Sequence, residues 1–98
     1  MWIKVRNISV QIVSPDNFKV IVSQKSTTEH YVTASKDFLS QFSKYNLSPE
    51  DIVKYSFEFL LDREPNTSIL KKFDITLISN YFPDFTKTIK EYFWNSVS

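Results

Sequence analysis

Two residue types are missing from this 98-residue chain: it has no cysteine and no glycine. Without cysteine there is no disulfide framework, no thiolate metal site and no thiol nucleophile. Without glycine, a phosphate-cradling P-loop or a dinucleotide-binding turn lacks the residue that reaches positive φ and lets the backbone approach phosphate closely. Turns must be made by Pro, Asp, Asn and Ser instead. Histidine occurs once, and arginine twice against ten lysines. No apolar run approaches the roughly 18 residues of a membrane span. Lys4 and Arg6 interrupt the first apolar stretch, so no secretory pattern opens the chain. These features favour a soluble, cytoplasmic protein with no membrane contact. Twelve basic residues face eleven acidic ones, a net charge of +1. Such a balance lacks the basic excess of a dedicated nucleic-acid binder.

What is present argues for a packed core. Hydrophobic residues make up 42% and aromatics 16%, with nine phenylalanines, a composition opposite to that of disordered chains. The length suits one domain. Trp2 to Val13 reads as a strand, but its alternation changes phase between Ile3/Val5 and Ile8/Val10/Ile12. A bulge near Arg6–Asn7 would reconcile the two. Ser14-Pro15-Asp16-Asn17 is a turn. Phe18, Val20 and Val22 alternate as a second strand, and His30, Val32 and Ala34 share one face of a third. Residues 1–34 thus predict a three-stranded antiparallel meander.

After Ser35 the apolar period lengthens. Phe38, Leu39, Phe42 and Tyr45 fit a short helix capped by Ser35, ended at Asn46-Leu47. Ser48-Pro49-Glu50-Asp51 combines a capping serine, proline in the first turn and two early acids, a strong helix start. The helix it opens is expected over 49–63, burying Ile52, Val53, Phe57, Leu60 and Leu61. Pro65 should stop it. Ile69, Leu70 and Phe73 at i, i+1 and i+4 predict another short helix, Asp74 caps a further one, and Pro83 starts the last. That final helix, about 84–95, buries Phe85, Ile89 and Phe93. The core expected from this half contains Phe57, Leu60, Ile69, Leu70, Phe73, Ile78 and Phe82. The whole is a single α+β domain, 1–34 as meander and 35–98 as about four helices.

Within the second half, LLDREP, SIL, FDI and ISNYFPDF resemble the C-terminal signature of a family of small uncharacterised prokaryotic proteins, LLxREP–xxSILxxFDxxxIxxYFPxF. That resemblance implies a short β-rich part followed by this signature. It implies no activity.

No constellation of residues specifies catalysis, a metal or a cofactor. His30 beside Glu29 resembles a general base with an orienting carboxylate, but one imidazole without a second matched group specifies little. Asp62 and Glu64, two apart, fall on different helical faces and do not form an acid/base pair. Trp2, Tyr31, Tyr55 and Trp94 offer stacking surfaces, yet no run of basic residues surrounds them. Arg63 stands out in a lysine-rich chain, because guanidinium binds carboxylate bidentately and lysine does not. Arg63, Glu64 and Asp74 are therefore expected to form a structural network joining the central helix to the next segment. The functional expectation is a protein-interaction or self-associating module. The alternative is a nucleic-acid-binding accessory protein using Lys4, Arg6 and Lys19 as phosphate contacts.

Overall fold

A computed structural model describes the backbone of residues 7–97 and the side chains of residues 7–91. Strand β1 (Asn7–Ser14) turns at Pro15-Asp16 into β2 (Asn17–Ser23), and β3 (Thr27–Thr33) follows. All three pair antiparallel in register, Val10 opposite Val20 and Val20 opposite His30. The hairpin's one irregularity lies between Ile12 and Ser14, at the turn. The bulge expected at Arg6–Asn7 and the strand before it fall on residues outside those described, apart from Asn7.

Alternation sends Phe18, Val20, Val22, His30, Val32 and Ala34 into the interior, all buried. Lys19, Glu29 and Tyr31 are on the opposite face. The helices cover only the inner face, which is why each strand reads apolar on one parity.

Helix α1 (Lys36–Ser40) starts at Ser35, whose Oγ accepts from Phe38 N at 3.2 Å. A 3-10 turn at Ser43–Tyr45 ends on Asn46 at φ 55°. Asparagine is the non-glycine residue best suited to that left-handed region, so it does here what glycine would do elsewhere. Helix α2 (Pro49–Leu61) opens with Ser48 Oγ accepting from Asp51 N at 3.2 Å and Pro49 in its first turn. It buries Ile52, Val53, Phe57 and Leu60, and also Ser56 and Phe59. Leu61 is half-buried.

The next segment departs from expectation. After a 3-10 turn at Asn66–Ser68, Ile69 is extended (φ −79°, ψ 135°), and Lys72–Asp74 forms a strand, β4. It lies parallel to β3, with Phe73 opposite Val32. The sheet is therefore four-stranded and mixed, ordered β1-β2-β3-β4. It draws a strand from residues 35–98, where only helices were expected. No helix carries Ile69, Leu70 and Phe73. Extension points Ile69 inward and leaves Leu70 53% exposed, while Phe73 and Phe82 are half-buried. Helix α3 (Leu77–Tyr81) and helix α4 (Phe85–Val97) complete the chain. Asp74 Oδ1 accepts from Thr76 N and Oγ1 at 2.9 and 2.7 Å, closing the turn before α3. Pro83 precedes α4 rather than sitting inside it, and Phe85 and Ile89 are buried. The Phe93 side chain lies outside those described. Among the described residues, four strands and four helices form one α+β domain.

Candidate functional site

The last strand is joined to the sheet by buried polar side chains as well as by its own short ladder. His30, buried on β3, places Nδ1 2.8 Å from the Leu70 carbonyl oxygen and Nε2 2.8 Å from Thr28 Oγ1. A carbonyl only accepts, so Nδ1 carries the proton. In the neutral ring, Nε2 then accepts from the Thr28 hydroxyl. Asn66, also buried, donates through Nδ2 to Ser26 O at 2.9 Å and to Thr28 Oγ1 at 3.0 Å. With the backbone bond from Tyr31 N to Lys71 O at 2.7 Å, these contacts pin residues 66–71 against β3 and the loop preceding it. His30 packs on Phe57, ring centroids 5.3 Å apart. Glu29, its neighbour, is on the solvent face and cannot orient it. The ring is a structural clasp with both nitrogens engaged.

That pinned segment forms one side of a groove of ≈ 200 Å³. Leu60 from α2, Ile69, and Ile78 from α3 are its buried lining, and half-buried Phe73 and Phe82 stand beside them. Leu70, Leu77 and Tyr81 complete the apolar lining, with Tyr81 69% exposed. Glu64 and Ser68 are the polar lining residues. All but Leu77 come from the LLDREP, SIL, FDI and ISNYFPDF segments.

Arg63 turns to a different side of the same joint. Its guanidinium carbon sits 3.6 Å from the centroid of the Phe59 ring and 5.6 Å from that of Phe82. Its Nη1 donates to the Phe59 carbonyl at 3.1 Å, and Nη2 lies 3.6 Å from Asp84 Oδ2. The carboxylate partner expected from the sequence was Asp74 or Glu64. The partner is Asp84, just before α4, and Asp74 is engaged with Thr76. The side chains of Arg63 and Asp84 are 31% and 57% exposed, so the ion pair itself contributes under about 1 kcal/mol. Stacking on Phe59 contributes a similar amount. Phe59, whose ring also meets Phe82 and Phe85 edge-on, was missed as a core residue. Its position two residues after Phe57 put it off the helical stripe considered.

Lys19 pairs with Glu29 across β2 and β3 at 3.1 Å. The hydrogen bond and charge of Glu29 hold its ammonium above the usual lysine range. Lys4 and Arg6 lie outside the described residues. Among the described residues no cluster of His, Asp or Glu is arranged to hold a metal, and no helix is long and apolar enough to cross a membrane.

The opposite edge of the sheet is β1, which has no strand on its outer side among the described residues. Its eight residues, NISVQIVS, include no charge and no proline. Ile12 and Val13 are 52% and 60% exposed, and the inner-face Ile8 and Val10 are half-buried. No protein-family model, curated protein or solved structure matches the chain.

Proposed function

We propose that this chain is a non-enzymatic interaction module that associates with a second copy of itself through the outer edge of β1. The observation that supports this reading is the edge itself. Exposed strands in soluble proteins are usually shortened, charged, bulged or interrupted by proline, because their free N–H and C=O groups template pairing. Along its outer side, β1 carries neither charge nor proline.

Two copies meeting antiparallel about a two-fold axis pair each residue i with a residue j for which i + j is constant. Centring on Val10 places Val10 opposite its own symmetry mate and Ile8 opposite Ile12. All inner-face residues from Ile8 to Ile12 then meet apolar partners, which is the pairing that stabilises a sheet. Centring on Gln11 would instead set Ile8 opposite Ser14. The two sheets would join into one of eight strands, with Ile12 covered.

The signature from Leu60 to Phe85 we take as the mark of a family of small prokaryotic proteins. It bears on fold and not on activity. Nucleic-acid binding has less support, since Lys19, the one described member of the proposed phosphate contacts, is engaged with Glu29.

Sedimentation velocity over a range of concentrations tests the reading. The parent chain is expected to shift from monomer to dimer as concentration rises. A variant with Ile12→Lys and Val13→Lys, both at exposed positions, should stay monomeric with its circular dichroism spectrum unchanged. A parent that sediments as a monomer throughout, or a variant that still dimerises, would remove the proposal.

A further inference from the structure

We infer that the groove at the β4 edge receives one apolar side chain of a partner polypeptide together with a cationic group beside it, and that Glu64 holds the cation. The site is at the opposite edge of the sheet from β1 and stands apart from the self-association reading.

Size narrows the occupant first. At ≈ 200 Å³ the groove is smaller than the roughly 300–1,000 Å³ of sites for drug-sized ligands and cofactors. It suits a single aliphatic or small aromatic side chain. Its rim stays apolar where solvent reaches it, with Leu70 and Tyr81 more than half exposed.

Glu64 decides the charge. The residue is half-buried in the groove lining. Its backbone N–H is bonded to Leu60 O at 2.8 Å. Among the described residues its carboxylate has no hydrogen bond or ion pair. Arg63, next in sequence, faces Phe59 and Asp84 instead. An apolar occupant that covered this carboxylate without a donor would strip its water for nothing in return, which is unfavourable. An anionic occupant would add repulsion. A lysine, arginine or terminal amine adjoining the apolar group supplies a charge-assisted bond. The groove side formed by residues 66–71 is fixed beforehand by His30 and Asn66, so little ordering is required on binding.

Three small probes sharing one branched five-carbon skeleton separate the possibilities: isoamylammonium, isoamyl alcohol and isovalerate. Each is titrated into the full chain while backbone amide shifts are followed by NMR. The ammonium should move the Leu70, Leu77 and Tyr81 amides and bind about fivefold tighter than the alcohol, as expected for one exposed charge pair. Isovalerate should bind most weakly. Glu64→Gln should abolish the preference for the ammonium while leaving the alcohol unchanged. Leu70→Ser should weaken all three, which a purely surface charge effect would not do. Equal binding of ammonium and alcohol by the parent would overturn the cationic partner. Shifts confined to other surfaces, or none, would overturn the site. Repeating the titration on the Ile12→Lys, Val13→Lys variant keeps this outcome distinct from that of the dimer.

Discussion

The two edges of this sheet are built by opposite means. The β1 edge, in its eight described residues, is tied to β2 by a tight hairpin, packs on α2 and carries no charge. The β4 edge has three residues and runs parallel to a strand far from it in sequence. Lysines and an aspartate surround it, and two buried polar side chains anchor the segment leading to it. Charge and shortness make β4 a poor template for another strand. The same features are absent from β1. Among the described residues, one sheet thus carries a finished edge and an open one. The finished edge uses its neighbours to shape a groove, so the two present different surfaces: main chain on one side, a side-chain socket on the other.

The largest effect should come from unpinning the finished edge. Asn66→Ala removes the buried donor that serves both Ser26 O and Thr28 Oγ1, two hydrogen bonds at once. The expected cost is about 1–3 kcal/mol, measured by urea denaturation. Amide exchange should rise first at residues 69–74, with β1 and β2 keeping their protection. Uniform loss across all four strands would show that β4 is not held separately. Replacing Ile12 and Val13 by lysine at the open edge should change monomer stability by no more than about 0.5 kcal/mol.

This contrast also explains which parts of the chain were legible. The hairpin, the third strand and the caps at Ser35 and Ser48 are set by neighbours in sequence, so alternation and capping chemistry reveal them. The strand at Lys72–Asp74 is set by β3 and by His30, which belong to a distant part of the chain. Nothing local marks it. The spacing of Ile69, Leu70 and Phe73 satisfies a helical turn equally well, and short apolar runs are ambiguous on periodicity alone. Tertiary pairing decided the outcome. Arg63 was legible as a residue with a geometric task, but its partner Asp84 lies across a fold that sequence spacing does not measure. The role of Asn66 was hidden for the same reason: Ser26 and Thr28, which it joins, lie about forty positions away. The groove followed from this missed strand and could not be read without it.

A smaller effect belongs to the middle of the sheet, between the two edges. The Lys19 ammonium is held above its usual range by Glu29. A raised folded-state value means that the pair's contribution is complete below the ordinary lysine pKa, about 10.4. It is then lost as pH climbs through the raised one. Melting temperatures of the parent should fall slightly more than those of Glu29→Gln over that alkaline interval. Identical curves would show that the pair is screened away by solvent.

The open edge is tested most directly by a single cysteine, since the chain has none of its own. Pairing centred on Val10 brings that residue's Cα to within about 4.5–5.5 Å of its symmetry mate, inside the range a disulfide spans. Gln11 would instead face Ser9 of the other copy, with its own mate beyond reach. Mild oxidation of Val10→Cys should therefore yield a covalent dimer on a non-reducing gel, and Gln11→Cys under the same conditions should remain monomeric. Equal cross-linking of both variants, or of neither, would contradict the pairing of β1 with itself.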